Sequence, residues 1–214
     1  MRRRQLARAR RLVAMDVEPQ VHVLAGELRC FTIDGLFTPD QCQAWIERAE
    51  ALGFGEAPIN TSGGELRAPD IRNNERTMVD DPEAAGELFE RLRPLLPPST
   101  RMYSRDLPIT GLNERLRFYR YDPGQRFALH RDGHYTRPDG SERSRLSLLI
   151  YLNGGFEGGE TLIYGGEGQD RAVPKAGRVL VFPHSMLHEG APVLRGRKYV
   201  LRSDVMYAMP RSAG

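Results

Sequence analysis

Two periodicities divide this 214-residue chain. In the first half, apolar residues recur at helical spacing. Thr38-Pro39-Asp40-Gln41 opens the clearest case, with a capping Thr, Pro at the first helical position and Gln three residues after the cap. Cys42, Trp45, Ile46, Ala49 and Leu52 follow on one face, and Gly53 stands where such a helix ends. This stripe reads as core. A second helix is predicted after Asp81-Pro82, with Ala85, Leu88, Phe89 and Leu92 on one face, and Pro94, Pro97 and Pro98 stop it. Strands are expected at residues 21–24 and 28–33, around Ala25-Gly26.

From residue 116 the pattern changes to β. Runs at 116–121, 126–132, 146–152, 160–164, 178–182 and 198–207 are separated by turn sequences such as Asp122-Pro123-Gly124, Gly154-Gly155, Gly158-Gly159 and Gly165-Gly166. Helices first and many short strands afterwards predict a mainly β (α+β) fold, a sandwich, jelly roll or barrel. Residues 54–78 form a long polar stretch rich in Gly, Pro and Asn, read as a loop; loops of that length inside compact domains lean functional. With no repeat and no linker, residues 18–214 are expected to form one domain, its catalytic core at about 115–208.

Charge changes the picture at one place. The chain carries 31 basic and 28 acidic residues, a net of +3. Six arginines (2, 3, 4, 8, 10 and 11) precede the first acid, Asp16, which leaves 25 basic against 28 acidic residues in the remainder. The body is slightly acidic and wears a basic arm, residues 1–17, expected as a short basic helix or a solvated tail. A nucleic-acid contact beyond the arm is therefore not expected. Cys30 and Cys42 make no disulfide framework and fit a reducing compartment. The arm lacks the apolar run of a signal peptide, no stretch has the length of a membrane span, and a cytoplasmic location is the expectation.

The candidate chemistry lies in 117–132. On a strand, residues two apart share a face, so His130 and Asp132 project side by side as two legs of a metal site. His188, in a turn-like segment at 183–190, is placed to fold back as the third leg. Two His and one carboxylate with open positions form the arrangement of non-haem Fe(II) oxygenases. His134 follows Gly133, which breaks the strand, and His184 lies in no helical pattern, so both are read as non-ligands. Lysine is scarce: Lys175 and Lys198 stand against 29 Arg. The compact ammonium of Lys198 therefore reads as an anion anchor, with Arg202 on the same strand face as its competitor. Two segments can close over such a site, 54–78 with the donors Arg72, Asn73, Asn74 and Arg76, and 133–143 with Tyr135 and Arg137.

The motifs Tyr121 to Asp132, Ser147-Leu-Leu-Ile-Tyr-Leu-Asn153, Gly158-Gly-Glu-Thr161 and His188 to Lys198 resemble, in order and spacing, the catalytic core of Fe(II)- and 2-oxoglutarate-dependent oxygenases of the prolyl 4-hydroxylase type. The resemblance spans residues 117–207, and more loosely 31–53 and 72–76. It implies a double-stranded β-helix (jelly-roll, cupin-like) flanked by N-terminal helices. It implies Fe(II) on His130, Asp132 and His188, and 2-oxoglutarate on Lys198 and Tyr121, with Tyr151 a second candidate for its tail and Ser147, Leu149 and Tyr151 lining the pocket. It further implies O2 as oxidant, ascorbate as accessory reductant, succinate and CO2 as products, and a peptide or small amino-acid-like substrate, first of all a prolyl peptide. Halogenating relatives lack the carboxylate ligand, so the presence of Asp132 favours hydroxylation.

Two readings compete. A metal-binding jelly-roll protein without oxygenase activity would keep the His/Asp set yet need neither Lys198 nor Tyr121. A nucleic-acid-directed demethylating oxygenase would carry Arg-x-Asn-x-Thr-x-Arg after the distal His, which Lys-Tyr-Val-Leu-Arg-Ser-Asp204 does not match.

Overall fold

The computed structural model describes residues 18–24, 27–61, 63–102, 104–166 and 168–210; the basic arm and the Ala25-Gly26 turn lie outside them. In chain order the first elements are β1 (Gln20–Leu24), β2 (Glu27–Asp34), α1 (Pro39–Leu52), β3 (Gly55–Glu56), β4 (Ile59–Thr61), β5 (Gly64–Leu66), β6 (Glu75–Asp80) and α2 (Pro82–Leu92). There follow β7 (Ser99–Met102), β8 (Arg105–Leu112), β9 (Arg115–Tyr121), β10 (Phe127–His130), β11 (Glu142–Tyr151), β12 (Glu157–Gly158) and β13 (Thr161–Gly165). The last are β14 (Gly168–Ala172), β15 (Val179–Pro183), β16 (Leu187–Gly190), β17 (Val193–Arg195) and β18 (Lys198–Ala208).

Helix α1 begins as its sequence requires. The Gln41 N–H donates to Thr38 Oγ1 at 3.2 Å and the Thr38 N–H to Gln41 Oε1 at 3.0 Å, a reciprocal box over Pro39. Cys42, Ile46 and Ala49 are buried, whereas Leu52, expected on the same face, is exposed. Asp81 caps α2 through the Ala84 N–H.

The strands form two principal sheets. The larger runs β1-β2-β15-β11-β18-β9-β6-β3, with β8 on β18 and β7 on β8; the smaller runs β10-β16-β13-β14. Side-chain alternation gives the large sheet two buried faces. Leu148, Ile150, Phe118 and Leu201 point outward into one apolar cluster with Ile46, Ala49, Ala85 and Leu88 of the helices. Tyr119, Tyr121, Tyr151 and Val200 point inward and meet Ile163 of the small sheet, with Leu149 packed alongside. That double burial explains the nearly continuous apolar run at 146–152. The result is the expected helix-flanked double-stranded β-helix, and its inter-sheet space holds the site.

Three expectations differ from the structure. The stretch 54–78 is not one loop: it holds β3, the β4–β5 hairpin and the start of β6, which pairs with β9 from Glu75 to Asp80. His188 lies on a strand, β16, rather than in a turn. Residues 133–143 run back along β11, with Arg137 N–H bonded to Glu142 O at 3.0 Å and Ser144 N–H to Tyr135 O at 2.8 Å.

Candidate active site

Strands β10 and β16 place His130 directly opposite His188. Each ring is fixed from behind: His130 Nδ1 lies 2.7 Å from the Ala128 carbonyl oxygen and His188 Nδ1 3.0 Å from that of Met186. A carbonyl only accepts, so each Nδ1 carries a proton and Nε2 is the ring nitrogen left to ligate. Both Nε2 atoms face Asp132, just past the end of β10, each 3.6 Å from a different carboxylate oxygen. His130 Nε2 is buried without a hydrogen-bond partner. Among the described residues, His130, Asp132 and His188 form a convergent ligand set whose ligand atoms all lie within 4.8 Å of one another. Two imidazole Nε2 atoms, one carboxylate and a buried ring nitrogen without a partner fit a divalent transition metal.

Burial alone would raise the Asp132 carboxyl. The Arg202 guanidinium and the Ser147 hydroxyl outweigh it and hold the group well below the usual carboxylate range. Arg202 Nη1 donates to Asp132 Oδ1 at 2.8 Å, and the ladder continues through Asp204 to Arg117. Burial also pushes His188 down to about 4, so its ring is neutral at ordinary pH.

The other carboxylate oxygen is held by a directional chain. The Tyr135 N–H donates to Ser144 Oγ at 2.8 Å, and Ser144 Oγ lies 2.8 Å from His184 Nε2. His184 Nδ1 lies 2.9 Å from Ser147 Oγ, which donates to Asp132 Oδ2. One arrangement satisfies every member: Ser144 donates to Nε2, and Nδ1–H donates to Ser147. His184, pushed down to about 4 by burial, is the neutral ring this requires. Its ring touches a candidate ligand's partner, and its backbone carbonyl accepts from the Asp132 N–H at 3.0 Å.

Behind the triad a cavity with about 430 Å³ of unfilled space, part of it open to solvent, runs between the sheets to Lys198. Lys198 is buried with its Nζ 4.8 Å from the Tyr121 ring centroid and 5.6 Å from that of Tyr151. Nζ donates to the Gly159 carbonyl at 2.6 Å. Burial pushes the ammonium down to about 7, against a weaker pull from Glu160. Tyr121 is the cross-strand partner of Lys198, and burial raises its phenol to about 12, so it remains a neutral donor. Tyr151 Oη is committed to Thr161 Oγ1 at 2.7 Å. The Gly158-Gly159 motif is explained by close approach: at φ +73° a Cβ on Gly158 would stand 2.4 Å from the Pro192 oxygen. The competitor Arg202 is engaged by two carboxylates, whereas Lys198 contacts a carbonyl.

The loop residues are placed differently from one another. Arg72 is buried between the Tyr119 and Phe127 rings, 4.4 and 4.5 Å from their centroids, and its Nε donates to Asn74 Oδ1. Phe127 in turn stacks on His130 at 3.6 Å, a contact the sequence reading did not assign. Asn73 Oδ1 accepts from the Arg126 N–H at 2.7 Å, and Arg76 pairs with Glu65 at 3.0 Å. Arg137 pairs with Glu114 and Glu142. His134 is exposed beside Arg143, outside the convergent set. The segment at 71–74 is thus stitched to β10, where Ala128 N–H bonds Ile71 O at 2.7 Å.

The family model of the 2OG-Fe(II) oxygenase superfamily matches residues 116–203. A PKHD-type hydroxylase of Paracoccus denitrificans (strain Pd 1222) is 30% identical over 173 residues, which cover 78% of this chain and 74% of that protein. The viral collagen prolyl hydroxylase of Paramecium Bursaria Chlorella virus-1, solved as a 2OG complex, superposes with a TM-score of 0.58 at 20% identity, over 87% of this chain and 99% of that one. A prolyl hydroxylase from Trichoplax adhaerens, in complex with a hypoxia inducible factor oxygen degradation domain peptide fragment, gives 0.55 at 17% identity, over 78% and 75%. The structural likenesses establish the fold. The identity to the Paracoccus relative goes further, and with the matching family model it makes this chain a member of the 2OG-Fe(II) oxygenase superfamily, related to the PKHD-type hydroxylases: an Fe(II)- and 2-oxoglutarate-dependent dioxygenase.

Proposed function

We propose that His130, Asp132 and His188 hold the Fe(II), that Lys198 and Tyr121 hold 2-oxoglutarate, and that the substrate is a peptide hydroxylated at proline. The observation that carries the cofactor assignment is one cavity with the ligand set at one end and a buried ammonium at the other. When bound, Fe(II) supplies the activation of O2 that couples decarboxylation of 2-oxoglutarate, giving succinate and CO2, to insertion of one oxygen into a C–H bond. The protein's own residues bind, orient and exclude water. Lys198 meets the distal carboxylate of the co-substrate, Tyr121 donates a hydrogen bond to it, and Leu149, Phe182 and Val200 keep the space between dry. Arg202 and Ser147 each take one face of Asp132 and fix its orientation. Arg72, Asn73, Arg76 and Tyr135 belong to the segments beside the site. Arg72 has the most direct connection, through Phe127 to His130.

The peptide assignment draws on the hydroxylase relatives and on the peptide complex of the Trichoplax neighbour. Prolyl peptides and free amino acids are incubated separately with the enzyme, Fe(II), 2-oxoglutarate and O2, and scored for succinate and for a mass gain of one oxygen. Oxygen gain on the prolyl peptides is expected. Oxygen gain on free amino acids alone, or on neither set while a small molecule that is not an amino acid is oxidised, would sink the peptide reading.

The hydrogen-bond chain behind Asp132 makes a second expectation. Ser147→Ala and His184→Ala should each weaken metal binding on the order of 10- to 100-fold without abolishing it, as usual when a ligand's orienting partner is removed. Anaerobic titration with Co(II), followed by its d–d absorption, measures this. Wild-type affinity in both variants would show that Arg202 alone positions the carboxylate.

A further inference from the structure

A second cavity opens on the other side of Asp132, with about 800 Å³ of unfilled space that includes open solvent. Its lining includes Arg29, Arg101, Arg145, His134 and His184, together with Asp132 itself. Asp132 is the single carboxylate among the described lining residues, and its oxygens are already taken by Arg202 and Ser147. The two cavities therefore share one wall, the metal-binding carboxylate, and differ in character. Beyond the triad, the first is walled mainly by aromatic and aliphatic side chains, with the Lys198 ammonium and one guanidinium, Arg202, already paired with Asp132. The second is a mouth ringed by guanidinium forks.

One arginine of the mouth, Arg145, is aimed there by a backbone irregularity. Ser144 stands opposite Met206 and Leu146 opposite Val205, so Arg145 is an extra residue in the β11–β18 ladder. Such bulges re-aim a side chain next to active sites. Here the bulge leaves Ser144 and Arg145 both lining the mouth, while Leu146 returns to the register in which Ser147 reaches Asp132. Arg145 Nη2 reaches the Met102 sulfur, and Arg29 Nη1 donates to Thr100 Oγ1 at 3.2 Å, so both forks are spread over β7, beside Arg101. Guanidinium is the side chain suited to bidentate capture of a carboxylate.

We propose that this mouth is a substrate subsite for a carboxylate, so that the residue presented to the metal is one that lies beside an acidic group. The inference rests on the peptide reading above and narrows it to acidic peptides. The carboxylate comes either from a Glu or Asp flanking the reacting proline or from the peptide's own C-terminus.

Calorimetric titration of the full chain, loaded with Mn(II) and 2-oxoglutarate without O2, tests it. The probes are N-acetylated, C-amidated pentapeptides with a central proline flanked by Glu or by Gln, and the Gln peptide with a free C-terminal acid. The Glu peptide is expected to bind about tenfold tighter than its Gln counterpart at low salt. A gain in the free-acid peptide instead keeps the subsite and assigns the carboxylate to the chain end. Arg101→Gln and Arg145→Gln should each bring the ratio of carboxylate to Gln-amide affinity toward one, whereas Arg195→Gln, outside the cavity, should leave it. Thermal unfolding confirms that each variant is folded, and the exposed Arg101 serves if Arg145→Gln is not. Equal affinity for all three peptides overturns the subsite, as does a ratio that neither variant moves. Oxygen gain without charge preference sinks the subsite alone. Carboxylate-dependent binding without oxygen gain on proline sinks the prolyl reading and leaves the subsite standing. Binding by none of the peptides overturns both.

Discussion

Asp132→Ala is expected to abolish metal binding and hydroxylation and, unlike loss of either histidine ligand, to destabilise the fold by about 3–5 kcal/mol. The proposed ligand set has no redundant leg, so His130→Ala and His188→Ala should also eliminate turnover. Their structural consequences differ. Removing either histidine ring leaves a small void beside Phe127 or Phe182. Asp132 instead neutralises Arg202, a buried guanidinium whose other carboxylate contact, to Asp204 Oδ1, is long at 3.5 Å. Removing the carboxylate leaves that charge largely uncompensated. Metal titration combined with denaturant unfolding separates the two effects. Equal stability of the Asp132 and His188 variants would mean that Asp204 suffices for Arg202. Loss of metal on His134→Ala with retention on His188→Ala would redraw the ligand set as His130, Asp132 and His134.

Lys198→Met should raise the 2-oxoglutarate requirement by on the order of 10²- to 10³-fold, with metal affinity little changed. The co-substrate's distal carboxylate would be left desolvated without its counter-charge. In the absence of 2-oxoglutarate the same substitution should hold or raise the melting temperature, because burial already disfavours the ammonium. A pH signature accompanies it. With Lys198 lowered to about 7 in the free enzyme, binding a dianion requires a proton to be taken up above that pH. Affinity should therefore be flat below about pH 7 and fall by up to tenfold per unit above it, a slope missing in Lys198→Met. Unchanged 2-oxoglutarate kinetics in this variant, with collapse in Arg202→Ala, would transfer the anchor to Arg202.

What the sequence disclosed, and what it withheld, follows from how local each feature is. The start of α1 is a contest among four neighbours, Thr38 to Gln41, and was legible. So was β11, whose two buried faces force apolar residues at consecutive positions. The candidate ligands were legible by residue type. The strand character of His188 was not, because Leu-His-Glu-Gly has little β propensity and is held as β16 by pairing with β10 and β13. The same holds for β6, whose Glu-Arg-Thr-Met-Val-Asp sequence shows no deep apolar period, yet it pairs with β9 at six positions. The support behind Asp132 joins Ser147 to His184 across 37 residues of chain, a contact that no local pattern announces.

The direct opposition of His130 and His188 across two short strands has a thermodynamic consequence. Ligation of one ion by both rings would act as a removable cross-link, closing a loop that contains β11 to β15. Because the denatured chain offers no such preformed site, occupancy and folding become linked equilibria, and free metal concentration acts as a stability variable. Within the small sheet, β10 is joined to β16 at only two registered positions, and that edge is where the dependence would be concentrated.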